Sequence, residues 1–262
     1  MTMAARLLTP AEATKANAAA SRDTPGNVVS NSYAIVAQAR TGSTMLEERL
    51  RARGLGMPFE YLNPNLEKAL VARWTGSEKP VGFERYLDLL KQHRTTPSGY
   101  FGIKCLHSQL DRQFKRAASA RAFLLAFDRI VVLNRRDKLA QAISAVRAEQ
   151  TGQWTSHLAS AGKEPVFDSR QISQRIHRFL LQDRALAAMK LDNDRPVLAL
   201  AYEELRDAPE ENWARIQRFL GVESAPPENA RPHTERQRDA VSAEWERMYL
   251  RHLGVASDQE PS

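Results

Sequence analysis

Five consecutive residues, Arg40-Thr41-Gly42-Ser43-Thr44, combine a guanidinium, side-chain hydroxyls and a glycine at a point where the chain changes from an apolar run to a helical pattern. A helix that starts there presents unpaired backbone N–H groups and the positive end of its dipole, and glycine lets a ligand approach the backbone closely. Those parts suit a phosphate or a sulfate. The segment lacks the G-x-x-x-x-G-K-[ST] pattern, so no lysine stands where a nucleotide's β/γ-phosphates are usually met, and an ordinary ATPase is disfavoured. A plainer alternative is that Ser43 caps a helix that carries Glu47 in its first turn.

A second basic constellation lies at Asn134-Arg135-Arg136-Asp137, with Ser144 two helical turns later. It could supply another phosphate site, or Arg135, Arg136 and Arg147 could form solvated or ion-paired surface. Glu60 follows the turn Gly56-Met57-Pro58-Phe59 and Lys104 sits in an apolar run. A lone glutamate on a short extended segment is ordinarily surface, Lys104 could equally pair with a carboxylate, and His107 could be a helix-start residue.

The elements that must hold these residues read as alternating strands and helices. Tyr33 to Ala37, Tyr100 to Leu106, Arg129 to Asn134 and Pro196 to Tyr202 are strand-like, with Phe59 to Leu62 as a short extended segment. Helical spacing follows Thr44, spans Glu84 to His93 and Gln109 to Phe127, and begins again at Asp137. A long helix is expected over residues 168–191 with Ile172, Ile176, Phe179 and Leu180 inward, and another over Glu210 to Leu220. This order predicts an α/β fold: one P-loop-like domain with a mainly parallel sheet covered by helices on both faces and ligands at the carboxyl ends of its strands. Arg40, Glu60, Lys104 and Arg135 fall near those ends.

Residues 1–30, rich in small and polar types, read as a mobile leader with a transient helix near Glu12 to Ala20. The domain proper is expected over 31–222, and 223–262 as a tail whose Trp245, Met248 and Tyr249 dock a final helix on it. The net charge of +7 and a pI of 9.7 favour anionic partners, yet the basic residues form no run interleaved with aromatics, so nucleic acid is unsupported. One cysteine, Cys105, excludes an internal disulfide framework and suits a reducing compartment, and no apolar run is long enough to span a bilayer. A cytoplasmic protein with no integral membrane segment is expected.

Strand-Arg40-Thr41-Gly42-Ser43-Thr44, then Gly54 to Leu62, Phe101-Gly102-Ile103-Lys104, Arg135 to Trp154, and Arg236-Gln237 before Trp245 resemble the bacterial trehalose 2-sulfotransferase-like family. The members of that family are carbohydrate sulfotransferases using 3′-phosphoadenosine 5′-phosphosulfate (PAPS). The resemblance covers nearly everything after residue 30. It implies that Arg40, Thr41, Gly42, Ser43 and Thr44 bind the 5′-phosphosulfate side of the donor and that Arg135 and Ser144 bind the 3′-phosphate. The family arginine is commonly followed by proline where this chain has Arg136, so either arginine could reach that phosphate, and a further family serine falls on Ala140.

The resemblance also implies that Glu60 is the general base for in-line sulfuryl transfer to a hydroxyl of a carbohydrate or glycolipid, without a metal. Arg40 would hold the leaving phosphate, Lys104 would stabilise the transferring group, His107 is the alternative base, and Trp154 would either stack on a sugar or anchor its loop. A homodimer is a family expectation. A metal-dependent nucleotide kinase and a catalytically silent nucleotide-binding scaffold are the competing readings.

Overall fold

The computed structural model describes residues 9–154, 164–222 and 240–255. The chain enters through α1 (Pro10–Asn17), started by a reciprocal cap: the Thr9 hydroxyl accepts from the Glu12 amide, and the Glu12 carboxylate accepts from the Thr9 amide. Strand β1 (Asn31–Ala37) is buried over nearly its whole length and leads through the Arg40 turn into α2 (Ser43–Ala52). The side chain of Asn63 caps α3 (Pro64–Thr75), and α4 (Phe83–Arg94) follows. Strand β2 (Tyr100–Leu106) runs directly into α5 (His107–Phe114) and then α6 (Ala117–Leu124).

Strand β3 (Arg129–Asn134) feeds α7 (Lys138–Thr151), whose first turn is capped by the Asp137 carboxylate accepting from the Ala140 amide at 2.8 Å. Helix α8 (Ser169–Ala188), strand β4 (Val197–Ala201), α9 (Tyr202–Asp207), α10 (Pro209–Leu220) and α11 (Ala240–His252) complete the described elements.

All four strands are parallel, in the order β2-β1-β3-β4. Side chains alternate across a strand, so Ala34 and Val36 of β1 pack with Leu70, Tyr86, Leu110 and Phe123 on one face. Tyr33, Ile35 and Ala37 pack with Leu46, Leu50, Trp213 and Ile216 on the other. Helices therefore cover both faces, as expected for a buried parallel sheet. A third cluster joins α7, α8 and α11 through Ile143, Ile172, Phe179, Trp245 and Tyr249.

The register decides where the loops emerge. Ala37 stands opposite both Leu106 and Leu133, and Leu133 stands opposite Leu200. The four strands thus end level, and the segments that follow them share one edge. The connection after β1 runs to β2 on one side and the connection after β3 runs to β4 on the other, so the crevice between β1 and β3 is the switch point where such sheets bind ligands.

Several expectations are corrected. The leader expected to be mobile folds from residue 9 onward: α1 lies against α3, and Ala18 is part of the core. Phe59 to Leu62 is not a strand but a tight irregular turn, tied to β2 by one backbone bond from Lys104 N–H to the Phe59 carbonyl at 3.0 Å. The helix expected over Gln109 to Phe127 is broken at Lys115, whose φ of 54° ends α5. Leu180, expected inward, is 51% exposed because the buried stripe of α8 follows Ile172 and Phe179. Arg236 and Gln237 lie outside the described residues, as does much of the loop after Gly152.

What fastens the N-terminal segment is Asp23. Its carboxylate forms ion pairs with Arg73 and with Arg94, at 3.3 Å for the latter, and accepts from Trp74 Nε1 at 3.0 Å. Arg94 is 0% exposed and also donates to the Asn17 carbonyl at 3.0 Å. Burial would raise the Asp23 pKa, but the hydrogen bonds from Arg73 and Trp74 outweigh it and hold the carboxyl below its ordinary value. A depressed carboxylate contributes stability above its unfolded pKa, and the contribution is lost as pH falls through the folded one. Asp23→Ala should therefore cost roughly 3–5 kcal/mol at neutral pH by stranding Arg94, with a smaller deficit in acid, measured by urea denaturation at several pH values.

Candidate active site

The turn after β1 is held by side chains from beneath. Gln38, buried at its start, donates from Nε2 to the Phe179 carbonyl at 2.6 Å and to Asp183 at 2.8 Å, and its Oε1 accepts from Gln141 Nε2 at 3.0 Å. Gln141 also donates to the Ala39 carbonyl at 2.9 Å. Thr41 is fully buried and its hydroxyl donates back to the Gln38 carbonyl at 2.8 Å, so it shapes the turn from within. Arg40 has φ 66°, a conformation uncommon outside glycine, which the surrounding bonds sustain. Gly42, the N-cap of α2, has φ 77°, and a Cβ there would stand 2.9 Å from the Tyr202 ring. Only glycine fits both demands. Ser43 and Thr44 then form the first turn of α2, Ser43 buried and Thr44 facing a large cleft.

The two basic constellations are joined. Arg40 donates from Nε to the Ser144 hydroxyl at 2.8 Å and from Nη1 to the Trp154 carbonyl. Arg135 donates to the Arg40 carbonyl at 3.3 Å and lies over the Tyr202 ring, 4.7 Å from its centroid. Arg136 points away: its exposed guanidinium pairs with Glu204 at 2.5 Å, and its amide donates to Glu203. Of the two arginines, the structure thus brings only the Arg135 guanidinium to the Arg40 turn. Burial and then the charge of Arg135 lower the Arg40 guanidinium to about 10. A buried cation pressed against another favours an anion beside it.

Lys104 carries the second half of the site. Its ammonium, 3% exposed, pairs with Glu47 of α2 at 2.5 Å and with Glu60 at 3.2 Å. Burial opposes the Lys104 charge, but Glu47 and then Glu60 outweigh it and leave the pKa raised; Glu47 itself is raised by burial, which exceeds the opposing pull of Lys104. The other oxygen of Glu60 accepts from Gln109 Nε2 at 2.7 Å. Both carboxylate oxygens are thereby oriented while the side chain keeps 31% of its surface exposed. Lys104 lies behind Glu60 with its charge engaged by two carboxylates.

His107 is buried at the start of α5, with Nδ1 3.1 Å from Asp111 and Nε2 without a hydrogen-bond partner among the described residues. Glu60, Lys104, His107, Thr44 and Trp154 all line one cleft of about 1310 Å³. Trp154 presents its side chain at the surface. Among the described residues no cluster of three or more His, Cys, Asp or Glu side chains could hold a metal ion.

A family model described as Stf0 sulphotransferase matches residues 32–252. The chain belongs to the Stf0 sulphotransferase family. It is an enzyme, a sulfotransferase. The trehalose 2-sulfotransferase of Mycolicibacterium smegmatis is 27% identical over 259 residues, spanning 84% of this chain and 94% of that relative. Solved structures with a looser likeness include the sulfotransferase domain of the Synechococcus PCC 7002 olefin synthase, 16% identical with a TM-score of 0.46 over 90% of this chain and 92% of that one. Another is mouse sulfotransferase SULT7A1 complexed with PAP, 13% identical with a TM-score of 0.43 over 88% of this chain and 69% of that one. The assignment to Stf0 rests on the family match.

Sequence reading did not single out Gln38, Gln141, Gln109 or Tyr202. The usable signal for Tyr202 is its place just after a strand end, but the glutamines act through contacts more than 40 positions away in sequence. Removing the ammonium that joins the two halves should be costly. Lys104→Met is expected to lower stability by roughly 3–5 kcal/mol at neutral pH, because Glu47 is left buried without a partner. Without Lys104 the Glu47 pKa rises further, the folded variant binds an extra proton, and the deficit should shrink as pH falls from neutral, read by denaturant titration from pH 8 to pH 5.

Proposed function

We propose that this Stf0 sulfotransferase moves a sulfuryl group from PAPS to a hydroxyl of a carbohydrate or glycolipid, with Glu60 as general base. The observation that carries the reading is that Glu60, oriented by Lys104 and Gln109, lines the same cleft as Thr44 of the anion-binding turn. Bound PAPS would supply an activated sulfuryl group with a phosphate leaving group. Glu60 accepts the proton of the acceptor hydroxyl as its oxygen attacks sulfur in line. Arg40, the backbone of Gly42, and Ser43 and Thr44 at the N-terminus of α2 hold the departing phosphate, where charge builds up.

The contacts of Arg135 and Ser144 with Arg40 support them as the grip for the 3′-phosphate. Lys104 acts by positioning Glu60. The positive charge of Arg40 and Arg135 and the helix dipole support transfer without a metal ion. The relative named for trehalose supports a carbohydrate acceptor. The lone buried cysteine, Cys105, supports a cytoplasmic setting, and homodimerisation stays a proposal from the family resemblance. Among the described residues no helix is long and apolar enough to cross a membrane.

Glu60→Gln should lower turnover by about 10²–10⁴-fold while affinity for 3′,5′-adenosine bisphosphate is kept, since the proton acceptor is lost with little change in volume. Turnover at the wild-type level in that variant refutes the base assignment. Arg40→Ala should weaken binding of 3′,5′-adenosine bisphosphate at least tenfold by calorimetry, about the worth of one charge-assisted hydrogen bond. Thermal stabilisation by that ligand in the presence of EDTA is expected; stabilisation by ATP with Mg²⁺ alone would instead favour a kinase.

A further inference from the structure

Two guanidinium groups in the cleft, those of Arg22 and Arg51, have no ion-pair partner among the described residues. Arg51 lies on the same face of α2 as Thr44 and Glu48, seven residues beyond Thr44, and all three line the cleft. At 1.5 Å per residue this is about 10 Å along the helix from the anion-binding turn. Arg22 reaches the same place from the segment after α1. Their Cζ atoms stand 5.7 Å and 5.6 Å from the centroid of the Phe59 ring, and Phe59 immediately precedes Glu60.

Neither arginine makes a hydrogen bond or an ion pair among the described residues, and Arg51 Nε is buried without a partner. Two nearby carboxylates pair with other cations, Glu47 with Lys104 and Asp23 with Arg73 and Arg94, and Glu47 acts on Arg22 and Arg51 only through space. Arg94, a third cation near Phe59 at 6.0 Å from the ring centroid, is held by Asp23 and the Asn17 carbonyl. Two half-buried like charges side by side are unfavourable unless something negative joins them. Burial first, and then the charges of Arg51 and Arg94, hold the Arg22 pKa below the ordinary guanidinium value, consistent with that crowding.

We propose that Arg22 and Arg51 form an acceptor subsite for an anionic group, a carboxylate or phosphate on the sugar whose hydroxyl is presented to Glu60. The inference rests on the sulfotransferase reading of the cleft and deepens it by naming the acceptor class. In the proposed reading the donor's phosphates are held by Arg40, Arg135 and Ser144 around the turn that starts α2, about 10 Å along that helix from Arg51, whereas Arg22 and Arg51 stand at Phe59, which directly precedes the proposed base. Guanidinium forks suit carboxylate and phosphate oxygens. The N-terminal segment is thereby part of the acceptor wall.

The test compares glucose, glucuronate and glucose 6-phosphate as ligands of the full chain saturated with 3′,5′-adenosine bisphosphate, by calorimetry or ligand-observed NMR. At least one of the two acids is expected to bind about tenfold or more tightly than glucose, and which one does separates carboxylate from phosphate recognition. Arg22→Gln and Arg51→Gln should each pull that ratio toward one, with the thermal shift by the bisphosphate reporting that the variants are folded. Acids that bind no better than glucose, or variants that keep the preference, overturn the proposal. Transfer assays on the same sugars separate the two readings, because acid binding without sulfuryl transfer to any acceptor counts against the proposed reaction and leaves the anionic subsite standing.

Discussion

A single buried ammonium ties the chemistry of this protein to its fold. Lys104 projects from β2 between Glu47 on α2 and Glu60 on the irregular turn before α3. One positive charge cannot be removed from water cheaply, and neither can two carboxylates, so the three groups are tolerable only together. Satisfying them fixes the distance between α2, which begins at the Arg40 turn, and the Glu60 carboxylate. Because Glu47 lies one turn below Thr44, any slip of α2 along the sheet would break the pair before it displaced the turn.

The cleft's electrostatics follow from a similar accounting of partners. Arg40 and Arg135 lie together beside Ser144 and Tyr202, and the strained backbone at Arg40 is sustained by Gln38, Gln141 and Thr41. At the other end of α2, Arg22 and Arg51 meet at Phe59. Arg22 and Arg51 line the same cleft as the Glu60 carboxylate.

Level strand ends explain why residues so far apart in sequence collaborate. The parallel register places the ends of β1, β2, β3 and β4 on one edge, which brings together Gln38, His107, Asn134 and Ala201 and the loops that follow them. Asp23 extends the same logic to the N-terminal segment: by neutralising Arg73 and Arg94 it anchors residues of low intrinsic order, and so makes Arg22 part of the cleft.

Strand and helix periods were enough to place all four strands, because a buried parallel strand must be continuously apolar and a covering helix must show a stripe. The turn at Arg40 to Thr44 was legible for the same reason, since a glycine and hydroxyls at a strand-to-helix junction have a local physical meaning. Local signals failed where a long-range contact set the outcome. The leader looked loose because its ordering depends on Arg73, Arg94 and Trp74, and Phe59 to Leu62 looked extended because its apolar residues are buried by a tight turn. Sequence by itself determined the sheet, the strand-to-helix turn at Arg40 to Thr44 and a short set of ionisable candidates. Only the tertiary structure decided that Arg135 and not Arg136 meets Arg40, that Lys104 is held by two carboxylates, and that Arg22 joins Arg51, because charge pairing and burial depend on which distant side chains arrive at the same place.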